Sequence, residues 1–423
     1  MEIVIVGGGI AGPLAALALH RLGLGVALFE AVARPEPLGV GINLLPHATK
    51  ELEALGLLEE VRRRGVETAD LSYYSKHGTL IWREPRGLAA GYRWPQISIH
   101  RGALQMFLLA ACRARLGAGR LHFGRRLVGV EETAAGRVRV AFADHRGGGV
   151  VERREADLLI GCDGIHSAVR ARLHPGEGPP IWNGAILWRG TARAAPFLSG
   201  RSMIMAGHER QKFVCYPIET ADDTGRVLLN WVAELRFPPD RPFRREDWNR
   251  EGQLGDFLPA FEDWRFSWLE VPAVIRAAPR VFEYPMVDRD PLPRWGSGPV
   301  TLLGDAAHPM YPVGSNGVSQ ALLDVAELVR AIRRHGPTPA ALAAYEAVRR
   351  PATAALIAAN REQGPERVMQ LVEERAPDGF EDLETVLPRA EREAIAARYR
   401  RLAGFDPETL NAFPAGCDLS APL

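Results

Sequence analysis

Apolar residues open the chain in an order that predicts a strand, a turn and a helix. Ile3 to Val6 form an unbroken apolar run of strand length, Gly7-Gly8-Gly9 interrupts it, and an apolar stretch of helix length continues from Ile10 to about Leu22. A second strand, Val26 to Glu30, follows, so the opening reads as a parallel strand-helix-strand unit. A helix is expected from about Leu104 to Leu116, and a buried strand in ADLLIGCDG, ending at Asp163. From about Gly184 to Leu235 the texture changes to short strand-like runs (GAILWRG, KFVCYPI, RVLLNWVAEL) divided by turn residues, which predicts a mostly antiparallel sheet. At GPVTLLGDAAH the buried-strand pattern returns, and an Ala/Leu-rich helix is expected from about Asn316 to Arg334. The segment beyond Arg350 reads as charged, solvated helices packed on the body.

Composition narrows the class of partner. Apolar residues make up 47% and charged residues 24%, ordinary globular values that exclude a disordered, collagen-like or coiled-coil chain. With 52 basic and 51 acidic side chains the formal charge is +1, so there is no electrostatic footprint for nucleic acid or an anionic membrane. The apolar stretch Ile3 to Leu19 lacks a basic leader, follows Glu2 and contains Pro13, which fits a strand-turn-helix better than a signal peptide or membrane anchor. A cytoplasmic monomer or homodimer with a small-molecule partner is the expectation. Cys112, Cys162, Cys215 and Cys417 lie far apart, without metal-ligand spacing, so a reducing compartment and no metal are expected. Lysine is limited to Lys50, Lys76 and Lys212, none of which ends a phosphate-binding loop of nucleotide triphosphatases.

The strongest local motif is Gly7-Gly8-Gly9-Ile10-Ala11-Gly12, directly after a strand and opening a helix. Gly7 permits the tight turn, Gly9 lets backbone amides approach a pyrophosphate, and Gly12 allows close helix-to-strand packing. The free amides and positive dipole end of the helix then face the anion. Glu30, at the end of the second strand, is placed to accept hydrogen bonds from the ribose hydroxyls of an adenosine. The fold class expected is α/β: a Rossmann-like dinucleotide domain assembled from 1–72, 100–180 and 285–350, with a substrate domain from 73–99 and the β-sheet segment 181–284, and C-terminal helices over 351–423. The glycine fingerprint alone does not separate FAD from NAD.

Two later motifs make that separation. GCDGIHSAVR (Gly161 to Arg170) and TLLGDAAHPMYPVGSNGVSQALLD (Thr301 to Asp324) resemble the Asp-Gly and Gly-Asp motifs of the single-component FAD-dependent aromatic hydroxylases, the p-hydroxybenzoate hydroxylase class. The resemblance covers about Met1 to Arg350. Within the class, PLGVGINLLPHA, QISIHRGALQ, LWRG and YPMVDRDPLPRW are most similar to the phenazine-biosynthetic branch that hydroxylates a methylphenazine carboxylate. The resemblance implies bound FAD, NADPH or NADH as transient hydride donor, dioxygen, and hydroxylation of a small aromatic through a flavin hydroperoxide. A flavin-dependent dehydrogenase or reductase on the same fold, and a non-catalytic flavoprotein that binds an aromatic ligand, are the rival readings.

The resemblance also implies roles. Gly7, Gly9, Ala11, Gly12 and Glu30 serve the adenosine diphosphate half. Arg101, just before its expected helix, reaches the phosphate and ribityl portion, or else is one more surface arginine. Asp163 lies in a turn near the dinucleotide, as a donor contact or as plain structure. Asp305 accepts from the ribityl hydroxyls, or else caps a helix. Pro312, Gly314, Asn316, Gly317 and Val318 bring backbone and a helix N-terminus against the flavin. Arg34, Gly41 and Ile42 are lesser candidates near the adenosine and flavin. Trp188, Met205, Tyr216 and Trp231 are candidates for an aromatic-binding wall, with core packing as the alternative for each. No catalytic side chain is named: His100, His166 and His308 read as structural, and Cys162 as a small buried residue.

Overall fold

The computed structural model describes residues 1–144, 147–238 and 250–412; Cys417 lies outside them. Five parallel strands form the first sheet in the order Val300–Leu302, Leu158–Gly161, Glu2–Val6, Gly25–Glu30, Leu121–Phe123. The strand Glu2–Val6 is central because its four apolar residues are buried on both faces. Helix Ala11–Arg21 packs its Gly12–Leu19 stretch against that sheet, and the helices Arg101–Leu116 and Gly317–His335 pack against it in turn. Each of Leu14, Leu17 and Leu19 is sealed from water, worth about 1.5–3 kcal/mol apiece. Strand order reverses on either side of Glu2–Val6, which is where an open parallel sheet leaves a crevice at its carboxyl edge.

The second sheet has seven strands in the order Val281–Asp288, Ile181–Ala194, Val227–Arg236, Gln211–Glu219, Ser202–His208, Asp70–Tyr74, Leu80–Pro85. Every pairing is antiparallel except that between Ser202–His208 and Asp70–Tyr74. Period-two alternation divides it into two apolar faces. The outer face carries Trp188, Phe213, Cys215 and Trp231 and is covered by Phe257, Phe261 and Ile275; the inner face carries Leu187, Met205, Val214 and Tyr216 and is covered by Tyr311, Val313 and Met369.

Two boundaries and the role of one region differ from expectation. The helix expected from Leu104 begins at Arg101, because the His100 imidazole caps it by accepting from the Ala103 amide at 3.3 Å. Arg101 is therefore the first helical residue rather than the one before it. The strand expected to reach Asp163 stops at Gly161. The C-terminal helices are also more than a solvated tail: Tyr399, from Arg389–Ala403, is buried, with its hydroxyl 3.0 Å from the Val313 carbonyl and 3.0 Å from Asn360 Oδ1. No described helix is long and apolar enough to cross a membrane.

Candidate active site

A cleft of about 630 Å³ opens at the carboxyl edge of the parallel sheet. Gly7, Gly9, Ala11, Glu30, Arg101, Asp163, Asp305, Gly317 and Val318 all line it, although they come from six separate stretches of chain.

The glycine turn explains its own composition. Gly7 has φ +110°, and a Cβ there would stand 2.2 Å from the Cys162 carbonyl oxygen. A Cβ on Gly12 would stand 1.9 Å from the Gly7 carbonyl oxygen, so the helix can lie on the turn only without a side chain at that point. Gly9 is different: among the described residues a Cβ there meets no atom within 4 Å. Helix Ala11–Arg21 has no side-chain cap, so its first-turn amides are left for whatever occupies the cleft. The Glu30 carboxylate accepts from the Gly8 amide at 2.6 Å and the Val32 amide at 2.7 Å, which ties the strand end to the glycine turn.

Asp163 faces the cleft but its carboxylate is engaged locally. It accepts from the Ser167 hydroxyl at 2.5 Å and the Ala168 amide at 2.7 Å, capping the short helix Ala168–Leu173. Burial pushes its carboxyl above the usual range, with these hydrogen bonds opposing.

Asp305 receives no hydrogen bond from the described residues, and its side chain is exposed to the cleft that it lines. Desolvation by the protein packed around it raises its carboxyl above the ordinary aspartate value, against the pull of His308 and Arg101. The loop that aims it is held by two ionic residues that sequence reasoning missed. The buried Asp324 carboxylate accepts from the Gly304 amide at 3.0 Å, from His308 Nε2 at 2.5 Å and from Arg349 Nε at 2.7 Å. The buried Arg170 donates to the carbonyls of Ala306 and Ala307 at 3.0 and 2.8 Å and pairs with Glu177. A signal existed: each ends one of the two quoted motifs, and Asp324 falls on the apolar stripe of its helix, where a lone carboxylate needs partners. Arg125 and Arg126, also on the cleft wall, were missed as well.

The remaining candidates do not line this cleft. Arg34 is exposed. Gly41 and Ile42 sit in the strand Gly41–Leu44, where the Gly41 amide donates to Asn230 Oδ1 at 2.7 Å. Pro312, Gly314 and Asn316 form a turn pressed on the C-terminal helix: a Cβ on Gly314 would stand 2.2 Å from the Tyr399 hydroxyl, and Asn316 Nδ2 donates to that hydroxyl at 3.3 Å. Of the histidines, His100 caps a helix and His308 props the Asp305 loop; His166 lines the cleft. Cys162 is buried and unpaired, and burial raises its thiol well above its ordinary value.

The four residues expected to form one aromatic-binding wall divide between two faces. Met205 and Tyr216 belong to the inner face. Trp188 and Trp231 belong to the outer one, where Trp188 stacks on Phe257 at 4.9 Å between ring centroids. Alternation puts Trp231 beside Cys215, and Tyr216 beside Asn230, so the two sets cannot share a pocket. Trp188 and Trp231 are core residues.

Comparison with known proteins gives one family match, two relatives and one solved structure. The family model described as "FAD binding domain" matches residues 1–187 and 285–360. The chain is 48% identical over 365 residues to the phenazine 1,6-dicarboxylic acid hydroxylase of Lysobacter antibioticus, covering 86% of this chain and 89% of that one. It is 30% identical to the 6-hydroxynicotinate 3-monooxygenase of Bordetella bronchiseptica, over 79% of this chain and 83% of that one. In fold it is similar to Klebsiella pneumoniae HpxO, crystallised with FAD and uric acid, with a TM-score of 0.71 at 22% identity over 100% of this chain and 97% of that chain.

Proposed function

Since the chain belongs to the family of FAD-dependent aromatic monooxygenases, we propose that it hydroxylates a planar fused heteroaromatic of the phenazine class. It is an enzyme that binds FAD and uses NAD(P)H and dioxygen to hydroxylate an aromatic ring. The choice of ring rests on one observation: the 48% identity to a phenazine hydroxylase, which runs across most of both chains.

The cleft suits FAD in its donor and acceptor chemistry. Uncapped amides at the start of Ala11–Arg21 suit a pyrophosphate, and Gly9 leaves room for it. Arg101 adds a guanidinium for phosphate, and Glu30 an acceptor for ribose hydroxyls. Asp305, with no donor from the protein, suits the ribityl hydroxyls. The helix Gly317–His335 also lacks a side-chain cap, and its first residues, Gly317 and Val318, line the cleft. Its positive end favours negative charge at that end of the bound molecule. Met205 and Tyr216 are assigned to the substrate side, on the apolar inner face.

Bound FAD supplies hydride acceptance from NAD(P)H and the activation of dioxygen. The chain's own part is to hold the ring against that centre and keep water away. The inner face, with Leu187, Met203, Met205 and Val214 closed over by Val313 and Met369, serves both ends.

The experiment is a turnover assay in labelled dioxygen with phenazines, quinolines and simple aromatic acids. A phenazine is expected to accelerate NAD(P)H oxidation most, with one oxygen atom from dioxygen in the product for each NAD(P)H consumed. Stimulation only by single-ring acids would reject the ring class. Anaerobic turnover, or hydrogen peroxide as the sole product with every ring, would favour the dehydrogenase reading.

Glu30→Ala and Asp305→Ala are each expected to lower FAD retention by about tenfold, since each removes a charge-assisted acceptor worth about 1.5–3 kcal/mol. Flavin absorbance per protein after gel filtration measures this, and unchanged ratios in both variants would reject the assignments.

A further inference from the structure

The strand Gly41–Leu44 and the residue after it grip the start of the helix Gly317–His335 at two points. The Leu45 amide donates to Ser319 Oγ, in the first turn of the helix, at 3.2 Å. Asn43 Nδ2 donates to Ser315 Oγ, just before the helix, at 3.4 Å. Ser315 is one of three non-glycine residues with a left-handed backbone among the described residues, at φ +57°. It follows Gly314, itself at φ +65°, and its amide donates to the Pro312 carbonyl oxygen at 3.1 Å, which closes a tight turn. Glycine adopts such a backbone freely, whereas a serine Cβ crowds the following carbonyl. Asn316 then returns to the right-handed region at φ −98°, ψ −17°, and the helix begins.

A buried chain of hydrogen bonds with a single direction ends on Ser315. Ser98 Oγ donates to Asn43 Oδ1 at 2.6 Å, so the one hydroxyl hydrogen of Ser98 is spent there. The 2.7 Å bond between the Ser98 and Thr68 hydroxyls is therefore donated by Thr68. With Oδ1 engaged, Asn43 has its Nδ2 left to offer, and that donor is turned on Ser315. The other neighbour of Nδ2 is the Met203 sulfur at 3.7 Å, a weak acceptor. Thr68, Ser98 and Asn43 are all buried, among Leu44, Leu45, Ile97 and Ile99. An amide in such surroundings is costly unless its hydrogen bonds are made, which fixes its orientation.

A residue held against its backbone preference by a buried, directional contact fixes an angle in the chain. Here the angle is the one between the Pro312–Ser315 turn and the helix whose first residues, Gly317 and Val318, line the large cleft without a side-chain cap. We propose that Asn43 is a positioning residue: by holding Ser315 left-handed it aims the uncapped helix end at the flavin and stabilises the negative charge gained on two-electron reduction. Asn43 is not part of the cleft wall, so it acts through Ser315. The proposal rests on the reading above that the flavin lies against this helix end. Dipole and free amides fade within one helical turn, so a small change of aim weakens both together. Oxidised FAD depends far less on that end, because the glycine turn and the start of Ala11–Arg21 hold its pyrophosphate.

The test measures the two-electron reduction potential of the flavin in holoenzyme, by equilibration with a reference dye. Asn43→Ala is expected to weaken binding of reduced relative to oxidised flavin about tenfold, a fall in potential of about 30 mV. Ser315→Ala keeps the Cβ and removes the acceptor; it is expected to fall as far, so the test does not depend on Asn43→Ala folding. Ser315→Gly needs no partner to stay left-handed and should keep the wild-type potential. For the same reason Asn43→Ala combined with Ser315→Gly should return to it. Unmoved potentials in Asn43→Ala and Ser315→Ala overturn the proposal. So does a double variant as low as Asn43→Ala, since Asn43 would then act by a route other than the Ser315 backbone. Gly317→Val tests the placing of the flavin itself, because a side chain there should cost FAD retention. Loss of FAD from Gly317→Val with unmoved potentials in the other variants rejects the role of Asn43 alone. If Gly317→Val retains FAD like wild type, the placing fails and the role of Asn43 falls with it.

Discussion

Gly9→Val is expected to give a folded but colourless protein. Among the described residues no atom lies within 4 Å of where a Cβ would stand at this position, and Gly9 does not need the left-handed backbone that Gly7 adopts at φ +110°. Nothing among the described residues therefore explains the absence of a side chain. A group in the cleft does, because a valine there occupies the space through which a pyrophosphate approaches the uncapped amides of Ala11–Arg21. Stability of the apoprotein should change by no more than about 0.5 kcal/mol, as for a surface substitution. FAD affinity should fall by about 100-fold or more, equivalent to about 2.7 kcal/mol. Gly12→Val is the contrast: its Cβ would collide with the Gly7 carbonyl oxygen at 1.9 Å, so that variant should lose fold stability and FAD together. The readouts are urea midpoints of the two apoproteins and flavin retention after reconstitution. A Gly9→Val protein that stays yellow would remove the pyrophosphate from this turn.

The different requirements at Gly9 and Gly12 mark how far the chain could be read before its structure. Ile3 to Glu30 was legible because every element there is local: apolar runs of the right length, a glycine turn and an acid at the strand end. The parallel sheet was legible in outline, since the buried-strand pattern recurs at Leu158 and Val300 and those strands do pair around Glu2–Val6. The division of Trp188 and Trp231 from Met205 and Tyr216 was not. Those strands are apolar on both faces, so alternation of polarity carries no information about which face turns inward. The part played by Tyr399 was hidden for a related reason. A single aromatic in the arginine-rich helix EREAIAARYRRLA gives no sign that it reaches Val313 across the fold. Arg170 and Asp324 stood inside the motifs that carried the family resemblance, yet their work is tertiary: each binds backbone or side chains far away in sequence.

Asp324 carries the largest stability effect among these residues. It touches no part of the large cleft, yet its carboxylate joins Gly304, His308 and Arg349 and so sets the left-handed turn, φ +64° at Gly304, that presents Asp305. Asp324→Ala leaves Arg349 buried without its counter-charge, a change expected to cost about 3–5 kcal/mol. That is a large part of the roughly 5–15 kcal/mol that holds a domain folded. Asp324→Asn preserves shape and one acceptor but not the charge, so it should lose less and still retain FAD poorly. The pH dependence separates charge from shape. Burial disfavours the Asp324 anion, but His308 and Arg349 outweigh it and hold the carboxyl below the ordinary aspartate value. A folded-state value depressed in this way adds stability above the unfolded aspartate value of about 3.9, and that stability is lost as pH falls through the folded value. The gap in urea midpoint between wild-type and Asp324→Asn apoproteins should therefore be widest near neutrality and narrow below about pH 4. A gap that stays constant to low pH would mean that Asp324 acts through packing rather than charge, and Arg349→Met should then cost as little as an ordinary surface change.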